Sequence, residues 1–109
     1  MLIIDGIEFE DAPSEIEGAP YWVDLWTDVN GYKIGLQVKP TTYQSTNTSF
    51  YSRGAKSSED AGHKRFRCDF GGKVFIITPQ NGAIPEKQIA QIRHEYDLLL
   101  TMPPKNQAI

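Results

Sequence analysis

Residues 21–39 read YWVDLWTDVNGYKIGLQVK. On either side of Asn30-Gly31 the stretch alternates. Tyr21, Val23, Leu25, Thr27 and Val29 fall on one face of the first arm, and Trp22, Asp24, Trp26 and Asp28 on the other. In the second arm Ile34, Leu36 and Val38 share a side, opposite Lys33, Gly35, Gln37 and Lys39. A period of two is the signature of strands. Asn-Gly between two such runs is the strongest short hairpin signal, because a type I′ turn needs positive φ at both central residues. Pro40 lacks a backbone donor and closes the second strand. A two-residue turn also fixes the register: Val29 pairs with Tyr32, so Asp28 faces Lys33, Trp26 faces Gly35, Asp24 faces Gln37 and Trp22 faces Lys39. Opposed Cβ atoms stand ~4.5–5.5 Å apart and diagonal ones ~7–8 Å, so this register predicts that Asp24, Gln37 and Lys39 converge.

Outward from the hairpin the pattern changes. Residues 2–9 read as one strand, or two short ones broken at Asp5-Gly6. Residues 11–20 hold two prolines, a glycine and three acids, and form a loop or at most one helical turn. Residues 41–56 read as a long polar loop, and residues 57–70 as a helix with Ser57 or Ser58 as N-cap and Gly71-Gly72 as its stop. The apolar run Val74-Phe75-Ile76-Ile77 suits a strand covered on both faces in a parallel sheet. Residues 86–100 have Ile89, Ile92, Tyr96 and Leu99 at helical spacing, and the tail over residues 101–109 is expected to fray. This order predicts one mixed α/β domain over residues 1–109: β-hairpin, crossover helix, buried strand, C-terminal helix.

Composition bounds what such a domain does. The chain is 39% hydrophobic and 23% charged, ordinary for a globular protein. No apolar run approaches the ~20 residues of a membrane span, so no membrane partner is expected. Cys68 is the one cysteine, which removes a disulfide framework or a Cys-based metal site and fits a reducing cytoplasm. The net charge of −3 hides a division. Residues 1–28 carry Asp5, Glu8, Glu10, Asp11, Glu15, Glu17, Asp24 and Asp28 with no base. The rest of the chain holds all 11 Lys and Arg and the remaining 14 − 8 = 6 acids, a local balance of +5. Arg53, Lys56, Lys64, Arg65, Arg67 and Lys73 lie in one stretch of it. An acidic site beside a basic surface suits phosphate chemistry, although a basic helix face is as often merely solvated.

Asp24, Gln37 and Lys39 have a use in phosphodiester hydrolysis. A hard divalent cation such as Mg²⁺ takes oxygen ligands. Asp24 offers an anionic oxygen, while Gln37 and the Val38 main-chain carbonyl offer neutral ones. Lys39 is suited to stabilising developing charge and orienting the attacking water. The bland alternative is a wet sheet face with Asp28 and Lys33 as a surface ion pair.

Val23-Asp24, a hairpin, then Gln37-Val38-Lys39 resembles the signature of PD-(D/E)XK nucleases, in the variant where Gln stands for the acid before the lysine. The stretch Ile34 to Tyr43, with His63-Lys64-Arg65-Phe66 and Gly71-Gly72-Lys73-Val74-Phe75, is similar to the MjaI-type family of type II restriction endonucleases. The resemblance covers roughly residues 20–100. It implies a restriction-endonuclease-like core, a Mg²⁺-dependent, sequence-specific endodeoxyribonuclease, double-stranded DNA as partner and a homodimer. DNA contacts are then expected from Tyr43, Gln44, Asn47, Arg53, Lys56, Lys64, Arg65 and Arg67. Val23 stands where the family has proline. The helix that precedes the first strand in the family is missing, which raises the alternative that the chain is a C-terminal fragment or a truncated form. A further acidic ligand would then have to come from Glu15 or Glu17. Two other readings stand beside the restriction enzyme: a repair or recombination nuclease on the same fold, and a non-catalytic DNA-binding remnant.

Overall fold

The computed structural model describes residues 1–18, 20–40 and 51–105, with the backbone alone for residues 51–59. The Asn-Gly hairpin forms as expected. Strands β3 (Leu25–Val29) and β4 (Tyr32–Val38) pair antiparallel with Val29 opposite Tyr32, Asp28 opposite Lys33 and Trp26 opposite Gly35. Asn30 and Gly31 have φ of 60° and 89°, the positive values that a type I′ turn demands. Asp5-Gly6 makes the same kind of turn, with φ of 51° and 81°, between β1 (Leu2–Ile4) and β2 (Ile7–Asp11). Residues 2–9 are therefore a second hairpin.

A single helical turn, α1 (Ser14–Glu17), follows β2 and buries Ile16. After β4, helix α2 (Tyr51–Phe70) crosses over to β5 (Gly71–Ile77), which lies parallel to β4. Helix α3 (Glu86–Thr101) ends the regular structure. The strand order is β1-β2-β3-β4-β5, antiparallel except for the last pair. The molecule is thus a mixed α/β fold built on a five-stranded mixed sheet.

The alternation of the strands divides the core. Val29, Ile34 and Leu36 pack with Phe9, Ile77, Ile92 and Leu99, which is the α3 side. Val23, Trp26 and Val74 pack with Phe66 and Phe70, which is the α2 side. Two helices on opposite faces explain the apolar run of β5: Val74 serves one face and Phe75 the other. Both remain half-exposed because β5 ends the strand order among the described residues.

Three expectations are corrected. The first arm of the central hairpin does not extend back to Tyr21: pairing with β4 stops at Leu25. Helix α2 has no N-cap at Ser57 or Ser58; it starts by Tyr51, which puts the backbone of Arg53 and Lys56 on the helix. The tail is tied down as far as Lys105. Asn30 Nδ2 donates to the carbonyls of Leu99 at 3.3 Å and Met102 at 2.7 Å, Tyr32 Oη donates to the Pro103 carbonyl at 2.6 Å, and the Lys105 N–H donates to the Asn30 carbonyl at 3.1 Å. Residues 106–109 lie outside the described residues.

Candidate functional site

The site proposed from sequence sits where β3 and β4 part. Trp22 takes a positive φ of 60°, and the chain enters β3 out of step. The Asp24 N–H donates to the Leu36 carbonyl at 2.8 Å, although Leu36 is already the partner of Leu25. Two consecutive residues opposite one is the geometry of a β-bulge, which shifts the alternation upstream of it. Val23 shows the shift. Strict alternation would put it on the face of Leu25, but its two methyls lie 3.0 and 3.1 Å from where a Cβ on Gly35 would stand, on the Trp26 and Val74 side.

The bulge changes how Asp24 meets the second arm. The predicted pairs Asp24–Gln37 and Trp22–Lys39 are not part of the ladder. Instead Asp24 Oδ2 accepts from the Val38 N–H at 2.8 Å, so the carboxylate takes the place of a strand partner at the end of β4. Gln37, on the Gly35 side of β4, is buried at 6% exposure. Val38 is exposed, and Lys39 is half-exposed with its own N–H bonded to the Ile77 carbonyl at 2.9 Å. Asp24 and the Gln37-Val38-Lys39 segment are therefore neighbours through the Val38 amide, and do not face each other across a flat sheet.

Among the described residues no group of three or more His, Cys, Asp or Glu side chains could hold a metal ion. The donors here are one carboxylate, the Gln37 amide and main-chain carbonyls. Mg²⁺ commonly binds through one or two carboxylates plus waters and ligand phosphate, so this donor set suits it by chemistry. Glu15 and Glu17 are exposed on α1. A further acid whose main chain lies beside Asp24 went unnoticed in the sequence. Asp11 pairs with Leu25, and the N–H of the next residue, Ala12, donates to the Asp24 carbonyl at 3.0 Å. Only the β2–β3 pairing reveals it, and nothing local in residues 8–12 predicts that pairing.

Of the DNA contacts expected, Tyr43, Gln44 and Asn47 lie outside the described residues, as do the side chains of Arg53 and Lys56. Lys64, Arg65 and Arg67 are exposed on α2. That helix docks through Phe66 and Phe70, which pack edge-on to Tyr21 at ring-centroid distances of 6.0 and 5.5 Å. Of the three bases, Arg65 is drawn back to the protein. Its Nε lies 3.5 Å from Asp69 and its guanidinium 5.9 Å from the Tyr21 ring. Tyr21 Oη donates to the same Asp69 carboxylate at 2.5 Å. That hydrogen bond, with partial burial and the negative charge of Asp69, holds the Tyr21 phenol above its ordinary pKa. The predicted Asp28–Lys33 ion pair is present at 3.6 Å, with the Lys33 ammonium 4.7 Å from the Trp26 ring.

No described helix is long and apolar enough to cross a membrane. Comparison with family models, with curated proteins and with solved structures finds no match to this chain.

Proposed function

We propose that this chain is a metal-dependent nuclease of the PD-(D/E)XK kind, a restriction-type endodeoxyribonuclease that cuts double-stranded DNA with Mg²⁺ and works as a homodimer. The observation that supports the reading is the meeting of Asp24 with Gln37-Val38-Lys39 through the Val38 amide, at the end of the hairpin beside the parallel strand β5. A bound divalent cation would lower the pKa of a water and offset phosphate charge. Asp24 would supply its anionic ligand and the Val38 carbonyl a neutral oxygen; the bulge leaves the Gln37 amide on the Gly35 side of β4, where it would reach such a cation only from the end of the strand. Lys39 orients the water and stabilises charge that develops on the phosphate. Asp11, one strand over, is the second acid in place of Glu15 or Glu17.

The bulge favours one other reading, a non-catalytic DNA-binding domain. Asp24 Oδ2 already serves as the cap of a strand end, which is a sufficient structural reason for an aspartate there. Nicking of supercoiled plasmid in Mg²⁺ and in EDTA decides between them. In the nuclease, Asp24→Asn keeps an oxygen for the Val38 N–H and so keeps the fold, but loses the charge and the Mg²⁺-dependent cleavage. Lys39→Ala lowers turnover far more than DNA affinity measured in Ca²⁺. Cleavage by a folded Asp24→Asn protein at the parent rate would remove Asp24 from the chemistry. DNA binding without nicking by the parent leaves the binding domain.

A further inference from the structure

The sheet face that packs on α3 is not wholly covered. Leu25 on β3 and Val38 on β4 share this face with the buried Val29, Ile34 and Leu36. Those three lie in the core, whereas Leu25 is half-buried and Val38 is 43% exposed. Leu25 and Val38 form the floor of a groove of about 570 Å³. Leu2 on β1 stands along one side of it, and Ile89, in the first turn of α3, along the other. Two carboxylates border the groove. Asp5 is committed, since its Oδ2 accepts from Arg93 Nε at 2.8 Å. Asp11 has the parity of Ile7 and Phe9, which places its side chain on this same face, opposite Leu25 in the ladder. It is exposed, and no hydrogen bond or ion pair holds its carboxylate. Among the described residues no Lys, Arg or His borders the groove.

We propose that this groove binds a small primary amine with an apolar body, its ammonium on Asp11 and its body on Leu25, Val38 and Ile89. A cavity of this size, mostly apolar with one free polar group, has the make-up of a small-molecule site. Burial of the body supplies the attraction. Charge decides the class of ligand. An ionised carboxylate only accepts hydrogen bonds, and an ammonium brings three donors to it. An anion of the same shape would meet Asp11 with no basic side chain to offset the repulsion. Because Asp11 is exposed, the ammonium keeps part of its water while the body is buried, and escapes the full cost of desolvation. Asp11 is also the second acid of the proposed nuclease, so an amine and a metal ion exclude each other at that carboxylate. Neither reading requires the other.

The test is a titration of the ¹⁵N-labelled protein, in EDTA and without DNA, so that its failure leaves the nuclease reading as it stands. The probes are 2-phenylethylamine, 2-phenylethanol and 3-phenylpropanoate, which share one apolar body and differ in head-group charge. The amine is expected to shift the amides of Leu2, Asp11, Leu25 and Ile89 saturably. It should bind about threefold or more tighter than the alcohol, the scale of one exposed ion pair, and the propanoate should bind more weakly than either. Asp11→Asn removes the charge from an exposed side chain, and is expected to bring the amine down to the affinity of the alcohol. Val38→Lys sets a cation over the floor while keeping the main-chain N–H that Asp24 uses, and is expected to remove saturation by the amine. Saturation by none of the three, saturable shifts confined to other amides, equal affinity for amine and alcohol, or parent affinity for the amine in either variant would overturn the proposal.

Discussion

Gly62 shows how one residue decides how a helix docks. It is buried in the middle of α2, where alanine in place of glycine normally stabilises a helix by about 1 kcal/mol. Here a Cβ would collide with the Pro20 carbonyl oxygen and would stand 3.1 Å from Trp22 Cδ1. The sign therefore reverses, and Gly62→Ala is expected to destabilise by about 1–3 kcal/mol in urea unfolding. Gly18→Ala, which adds a methyl in open space, should change stability by less than about 0.5 kcal/mol. Equal midpoints for the two variants would show that residues 20–22 do not lie against α2. Tyr21, in the same segment, makes a pH-dependent contact. Its folded pKa is raised, so the neutral phenol is favoured in the folded state. The stability it contributes is complete below the ordinary tyrosine pKa of about 10 and is lost as pH rises through the higher folded value. As pH rises above about 10 the parent should lose more stability than Tyr21→Phe, and parallel pH profiles would discount the Tyr21–Asp69 bond.

At the scale of elements, what local chemistry determines was legible and what distant partners determine was not. Asn30-Gly31 fixed the pairing of residues 25–29 with 32–36 because the turn type leaves a single register. The bulge at Asp24 escaped because Tyr21, Trp22, Val23, Leu25 and Trp26 are apolar on both faces of a two-residue repeat, so their parity carries no information. The start of α2 escaped because Ser52, Gly54 and Lys56 have the composition of a loop. The tail escaped for a third reason. Pro103-Pro104 looks like an unanchored end, yet its anchors stand about seventy residues away in the hairpin turn. Asn30 therefore has two tasks: it adopts positive φ, and it joins the turn to the end of α3. Asn30→Gly keeps the first and removes the second, so it should cost about 1–2 kcal/mol through the loss of two hydrogen bonds. It should also speed amide exchange at Lys105, whereas unchanged protection there would assign the tail's order to Tyr32 and to the residue-30 main-chain carbonyl, which the glycine keeps.

Across the whole molecule, the strand order turns the charge division of the sequence into a gradient in space. Asp5, Glu8, Glu10 and Asp11 belong to the β1–β2 hairpin at one end of the sheet. Lys64, Arg65, Arg67 and Lys73 belong to α2 and β5 at the other. A polyanion approaching such a molecule is steered toward the α2 end and repelled from the β1 end. The bases at that end are not equivalent. Arg65 is held by Asp69, so part of its charge is already neutralised, while Lys64 and Arg67 are exposed on the same helix. If duplex DNA lies along α2, the double replacement of Lys64 and Arg67 by Ala should reduce the slope of log affinity against log salt by about two, close to one for each phosphate deprived of its cation. Arg65→Ala should reduce it by less, and Lys105→Ala, in the tail beyond α3, should leave it unchanged. These slopes report on charge pairing alone and are indifferent to whether the bound DNA is cut. They are measured by fluorescence anisotropy in Ca²⁺ over a range of salt concentrations, on two unrelated duplexes. A slope in the double variant equal to the parent's would place α2 away from the DNA and leave the charge gradient with a role in solubility alone.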